Sequence, residues 1–212
     1  MSDRVSNDMR GEARDELEAV LPASSADTDR LRGELARRAA AEGLLDVAYR
    51  EVGSPIGVLL LAATPRGLVY TGFESEDRDG VLAVLADKLG PRVARSEDDP
   101  VLAVAAEQLH DYLVGRRRTF DVPVDTALAT GFRGEVQQHL ASLDYGRTAT
   151  YKELATQLGR PGAVRAVGTA CATNPLPLIW PCHRILRTDG GLGGYRGGTE
   201  TKARLLAMES AA

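Results

Sequence analysis

Residues 47–73 hold three short apolar runs, 47–52, 57–63 and 67–73, separated by Gly and Pro, with the turn Thr64-Pro65-Arg66-Gly67 between the second and third. Runs of this length with such punctuation extend as strands and reverse at the breaks, so the segment predicts an antiparallel meander. The pattern then changes period. Residues 80–89 and 100–114 place apolar side chains at helical spacing, in the second case Val101, Leu102, Val104, Ala105, Leu109, Tyr112 and Leu113. Residues 120–124 (Phe120-Asp121-Val122-Pro123-Val124) read as a returning edge strand. Strands followed by segregated helices predict an α+β domain over residues 47–125.

Residues 126–131 are small and weakly patterned, a linker into a mostly helical second domain, 126–212. Phe132, Val136, Leu140 and Leu143 mark one amphipathic helix. Thr150 with Glu153 forms a capping box opening a helix over residues 151–158 that stops at Gly159. After Arg160-Pro161-Gly162, a small-residue helix over residues 163–173 carries Arg165 near its start. Two short helices joined by a Gly/Pro turn predict a helix-turn-helix, and the small residues thin the second helix enough to enter a groove closely. Residues 1–46 divide at Leu21-Pro22-Ala23-Ser24-Ser25 and have helical composition with few large apolar residues. Short surface helices and a partly disordered arm both fit this extension.

Cys171 and Cys182 are the only cysteines, which argues against a secreted disulfide framework. With His110, His139 and His183 they show no metal-ligand spacing, so neither a metal nor another cofactor is expected. The polar, charged start lacks the apolar stretch of a signal peptide, and residues 56–63 are too few to span a membrane, which predicts a cytoplasmic protein. Formal charge is -4, but residues 132–212 hold ten Lys/Arg against six Asp/Glu. An acidic chain thus carries a basic half, compatible with a polyanion partner and equally with an ordinary surface.

The chemistry concentrates in Pro181-Cys182-His183-Arg184, which follows Asn174-Pro175 and precedes the loop Gly190-Gly191-Leu192-Gly193-Gly194-Tyr195-Arg196-Gly197-Gly198. A thiol is nucleophilic only as thiolate, and the adjacent His183 supplies a base able to lower its pKa and take its proton. A glycine-rich loop lets backbone approach a flat ligand.

Together with Thr150-Tyr151, Ala163-Val164-Arg165-Ala166-Val167-Gly168 and the closing segment from Lys202 to Glu209, these residues resemble the O6-alkylguanine-DNA alkyltransferase family. The spacing between Tyr151 and Glu209 fits without insertion or deletion, and residues 47–125 resemble that family's smaller ribonuclease-H-like domain. The resemblance implies repair of double-stranded DNA by direct reversal. Cys182 would take the alkyl group from guanine O6 irreversibly, and the protein would be consumed as a monomer. It assigns His183 as the base acting through a water, Glu209 as the group orienting His183, and Tyr151 as donor to guanine N3. Lys202 would polarise the Tyr151 hydroxyl. The backbone carbonyls of Cys182 and Ile185 would read the exocyclic amine, the amide of Arg196 would face O6, and Tyr195 would wall the pocket. Arg165, Ala166 and Thr169 would lie in the minor groove, with Arg165 filling the space of the flipped nucleotide, and Asn174 would serve as the hinge behind that helix.

Plainer roles stand beside these. Cys171 is expected to be non-catalytic, Trp180 to pack in a strand core, and His110 and His139 to be structural. Arg116-Arg117-Arg118 fits a nucleic-acid patch and equally the end of a helix. Arg133, Arg147, Lys152 and Arg160 fit phosphate contacts and equally solvated charge. Glu209 and Lys202 also fit an exposed charged helix. Among whole-protein alternatives, a non-catalytic binder of alkylated DNA would lack the nucleophile that Cys182 supplies. A thiol hydrolase would have no use for Arg165, and a regulator would carry a cysteine-rich zinc module.

Overall fold

The computed structural model describes residues 25–210. The first charged stretch and the break at residues 21–24 lie outside the described residues; α1 (Ser25–Ala41) supplies the helical part of the extension. The three apolar runs form β1 (Val47–Ser54), β2 (Gly57–Thr64) and β3 (Gly67–Phe73), an antiparallel meander. Next come α2 (Arg78–Leu89), β4 (Val93–Arg95) and α3 (Pro100–Leu113). The sheet order is β3-β2-β1-β4, with β4 parallel to β1. At three residues and no more than half-buried, β4 leaves almost no apolar pattern to read.

Alternation along β2 explains its unbroken apolar sequence. Leu59, Leu61 and Ala63 face one core with Leu102, Leu109 and Tyr112 of α3, while Leu60 and Ala62 face another with Leu85 of α2. Both faces are covered, so both sets of side chains are apolar. The α3 start is fixed locally: Pro100 occupies the first turn and the Asp99 side chain accepts from the Leu102 amide at 3.0 Å.

The returning edge strand expected at residues 120–124 is reduced to a single bridge between Val124 and Leu68. Pro123 lacks the amide that continued pairing requires, although its carbonyl accepts from Leu68.

The second half holds α4 (Gly131–His139), a 3-10 turn at Leu140–Ser142, β5 (Ala149–Thr150), α5 (Tyr151–Gln157), α6 (Val164–Ala172), a 3-10 turn at Cys182–Arg184, β6 (Ile185–Leu186) and α7 (Gly198–Ser210). The capping box is present: Thr150 Oγ1 accepts from the Glu153 amide at 3.1 Å, and Glu153 accepts from the Thr150 amide at 2.6 Å. One apolar cluster runs from Leu59 and Tyr112 through Leu140 and Val167 to Cys182 and Leu205, so the halves share a core.

Candidate active site

Two features bring Tyr151 and Cys182 to the same place. β5 pairs in parallel with β6, Ala149 opposite Ile185 and Thr150 opposite Leu186, which sets the start of α5 beside the turn that holds Cys182. Asn174, fully buried, fastens the segment leading into that turn: its amide donates to the Trp180 carbonyl at 2.8 Å, and its side-chain oxygen accepts from the Leu176 amide at 3.1 Å. Between them Leu178 adopts φ 75°, a left-handed conformation that a branched side chain resists, while buried in the core. Trp180 is buried, in an irregular segment rather than a strand.

Cys182 is 5% exposed, and its thiol titrates above the ordinary cysteine value. Burial is the main cause; the Asn174 amide and the charges of Lys202 and Arg196 oppose it without prevailing. This corrects the expectation of a lowered thiol pKa, because the low dielectric around the sulfur penalises thiolate more than its neighbours favour it. Such a cysteine needs a base.

His183, 0% exposed, is the titratable side chain next to it in the turn. Its Nε2 lies 2.9 Å from Glu209 Oε1. An ionised carboxylate can only accept, so Nε2 carries the proton and the lone pair sits on Nδ1. Among the described residues the buried Nδ1 has no hydrogen-bond partner. Burial lowers the imidazole pKa, against the opposing pull of Glu209, so the ring is neutral at neutral pH. Near it, the buried Tyr195 hydroxyl is likewise unpartnered, with ring centroids 6.2 Å apart. Polar atoms buried without a partner in the chain are available to water or to another molecule.

Glu209 is held far below the carboxylate range. Burial pushes its carboxyl up, but hydrogen bonds outweigh this: His183 Nε2, the Arg184 guanidinium (Nη2 to Oε1 at 2.8 Å, Nε to Oε2 at 2.9 Å), the Tyr112 hydroxyl and the Gly146 amide at 3.1 Å. Glu209 and Lys202 therefore do not lie on an exposed charged helix. With Leu205 they form the buried face of α7, at positions three and seven residues apart.

Lys202 is fully buried and donates to the carbonyls of Ile185, at 2.5 Å, and Leu192. These bonds tie the glycine-rich loop to β6, and among the described residues none runs from Lys202 to the Tyr151 hydroxyl. The Ile185 carbonyl thus already has one donor. Tyr151 sits under the loop, where a Cβ at Gly193 would come within 2.9 Å of its hydroxyl.

Arg196 uses its side chain away from the thiol. Its guanidinium bonds the Asn174 carbonyl at 2.5 Å, pairs with Glu76 and reaches the Tyr70 hydroxyl, so the loop is anchored on β3 and the residues after it. Glycine is required beside it, since a Cβ at Gly197 would stand 2.7 Å from the Phe73 ring.

On α6 the exposed residues are Arg165, Ala166, Thr169 and Ala172, one face of the helix, while Val167, Ala170 and Cys171 are buried. Gln137 of α4, buried, donates to the Ala170 and Thr173 carbonyls at 3.0 and 3.1 Å and fixes the helix end. Burial pushes the Cys171 thiol up to about 12. Arg133, Arg147, Lys152 and Arg160 are exposed, Arg160 pairing with Glu135 and lying over Phe132. Arg116 and Arg117 engage Asp111 and Asp121, and Arg118 lies over Tyr145, all three beyond the end of α3. His110 and His139 lie on α3 and α4, outside the His183 network.

Tyr112, Arg184, Glu76, Tyr70 and Gln137 escaped the sequence reading as site residues. Only Tyr112 left a hint: a tyrosine at a core position needs a partner for its hydroxyl.

The chain is also similar to known proteins. Residues 131–211 match the family described as 6-O-methylguanine DNA methyltransferase, DNA binding domain, and residues 47–126 its ribonuclease-like domain. An inducible methylated-DNA--protein-cysteine methyltransferase of Bacillus subtilis is 39% identical over 72% of this chain and 84% of its own length. One from Mycolicibacterium paratuberculosis is 38% identical over 77% and 92%. A crystal structure of Mycobacterium tuberculosis OGT in complex with DNA superposes with TM-score 0.66 at 34% identity, covering 77% of this chain and 93% of that one.

Proposed function

Because the chain belongs to the 6-O-methylguanine DNA methyltransferase family, we propose that it repairs DNA by moving an alkyl group from guanine O6 onto Cys182, once per molecule. The observation that carries this reading is the unpartnered Nδ1 of a neutral, Glu209-oriented His183 next to a buried thiol. A water between them relays the thiol proton to Nδ1 as sulfur attacks the alkyl carbon. The S–C bond forms while the C–O6 bond breaks, and its electron pair stays with the purine. Tyr151 supports that charge at N3, and guanine ends with a ring proton in place of the one Cys182 lost. The product is a thioether, which no group here can cleave, so the reaction stops after one event. Tyr195 and the amide of Arg196 border the base, and the carbonyls of Cys182 and Ile185 read its exocyclic amine.

Access requires the nucleotide to leave the stack. In this reading α5 and α6 act as a helix-turn-helix that enters the minor groove with Arg165, Ala166 and Thr169, and Arg165 fills the gap. Two facts support it. Among the described residues the Arg165 side chain has no ion pair or hydrogen bond. A Cβ at Gly168 would meet nothing within 4 Å. A mid-helix glycine costs about 1 kcal/mol against alanine, and since no internal packing needs it, close approach of another molecule explains it. The working units are residues 47–125 and 126–212, with residues 1–46 an extension, and the protein acts as a monomer. Its two free thiols suit a reducing cytoplasm, and no helix among the described residues is long and apolar enough to cross a membrane.

The direct test is incubation with duplex DNA containing O6-methylguanine followed by peptide mass analysis. One methyl on the Cys182 peptide, with one equivalent of DNA repaired, is expected; many turnovers per molecule would refute the scheme. Arg165→Ala is expected to slow repair of duplex DNA by about tenfold or more, the effect of losing roughly 1.4 kcal/mol of transition-state binding, and to leave reaction with free O6-benzylguanine nearly unchanged. Equal losses on both substrates would make Arg165 a structural residue only.

A further inference from the structure

Tyr112 belongs to α3, in the half of the chain that carries the sheet, yet its hydroxyl lies inside the His183–Glu209 pair. It is 3.2 Å from His183 Nε2 and hydrogen-bonds Glu209 Oε1. The residue is 0% exposed, and its ring is held at a tilt to Phe120, centroids 5.1 Å apart, and edge-on to Tyr145 at 6.0 Å. We propose that Tyr112 is a positioning residue for the transfer reaction: by sharing Glu209 Oε1 with the Nε2 proton it sets the proton affinity of the imidazole that receives the Cys182 proton. This rests on His183 being the base of the reaction proposed above.

A tyrosine hydroxyl has one proton, and the ionised carboxylate is the stronger acceptor within reach, since His183 Nε2 already carries its own proton. Oε1 therefore takes hydrogen bonds from Tyr112, from His183 Nε2 at 2.9 Å and from Arg184 Nη2 at 2.8 Å. Every donor added to that oxygen reduces the negative charge available to stabilise imidazolium. The groups facing His183 are Glu209 and Lys202 from α7, Tyr112 from α3, Arg184 and Cys182 beside it in the turn, and the Tyr195 ring from the loop. Glu209 is the single anion among them, so what Tyr112 withdraws from it nothing else on that side restores. Burial keeps His183 neutral, Tyr112 limits how far Glu209 offsets it, and a proton is accepted only as the thiol gives one up. It also makes the sheet-bearing half a contributor to the reacting site through a hydroxyl, besides the Arg196 anchor.

Removing that hydroxyl in Tyr112→Phe keeps the ring and its packing. Glu209 then pulls harder on the Nε2 proton, imidazolium is stabilised, and the His183 pKa rises. Since only neutral His183 can act as base, the acidic limb of the single-turnover rate moves to higher pH. A shift of about one unit is expected, a tenfold change in proton affinity.

Two readouts on the full chain test this. Nitrogen-15 NMR follows the His183 imidazole without DNA, assigned against His110→Gln and His139→Gln, because the chain has three histidines. The rate–pH profile of methyl transfer to Cys182 follows the reaction. An upward shift in both supports the proposal, whereas a His183 titration unchanged in Tyr112→Phe, or a uniform loss of rate without movement of the limb, would overturn it. Should the variant fail to fold, the wild-type protein decides: a slowly exchanging Tyr112 hydroxyl proton with a nuclear Overhauser contact to the His183 ring is expected, and its absence would be contrary. Failure of wild-type protein to methylate Cys182 would instead remove the reaction scheme and leave the DNA-free titration to judge Tyr112.

Discussion

Cys182→Ser is expected to abolish methyl transfer, with a fall of at least about 10⁴-fold, as when a nucleophile is removed from a catalytic unit. Serine is nearly isosteric, so the turn, the Asn174 contacts and the shared core persist, but its hydroxyl has a far higher pKa and is a far weaker nucleophile than sulfur. His183 cannot compensate, because its own proton affinity is held low. Binding to duplex DNA should be retained, since Arg165, Ala166 and Thr169 lie on the exposed face of α6. Single-turnover repair and fluorescence anisotropy on the same oligonucleotide measure the two quantities. Full methylation of the variant, for instance at Cys171, would place the acceptor elsewhere. Wild-type protein that binds the lesion and stays unmodified would favour the non-catalytic binder.

Glu209→Ala is expected to be the most damaging substitution for stability, at about 3–5 kcal/mol. It leaves Arg184, whose side chain is 6% exposed, without its anion, and strips partners from His183, Tyr112 and the Gly146 amide. Against a total stability of about 5–15 kcal/mol this is a large fraction. Denaturant unfolding at neutral pH measures it. The pH dependence has a definite sign: because Glu209 titrates below its unfolded value of 4.5, its contribution is complete above that value and fades as pH falls toward the folded pKa. The gap between wild type and variant should therefore narrow in acid. Glu209→Gln should retain more stability than alanine while losing the orientation of His183, and with it most of the transfer rate. A cost for Glu209→Ala under about 1 kcal/mol would mean that Arg184 finds another partner.

The same network shows where sequence stopped being informative. Period and punctuation were enough for the meander, for α2 and α3, and for the Thr150–Glu153 capping box, because each depends on residues a few positions apart. The three-residue β4 and the bridge that replaced a strand at Val124 depend on what lies alongside, so no local pattern announced them. Resemblance brought Tyr151, Cys182, His183 and Glu209 together, yet it assigned Lys202 to the Tyr151 hydroxyl, where the structure has it bonding the Ile185 and Leu192 carbonyls.

By itself, then, the sequence marked a candidate nucleophile, a candidate base beside it and a thin helix face suited to a groove, since these readings use residue type, short-range order and the resemblance they carry. Tertiary structure alone decided the electrostatic state of that chemistry. Burial raised the Cys182 thiol and lowered His183, and Glu209 of α7 became a shared acceptor for groups from α3 and the Cys182–Arg184 turn. Proton affinity depends on the surrounding dielectric and on charges within a few ångströms, and both are set by side chains that meet only when the chain folds.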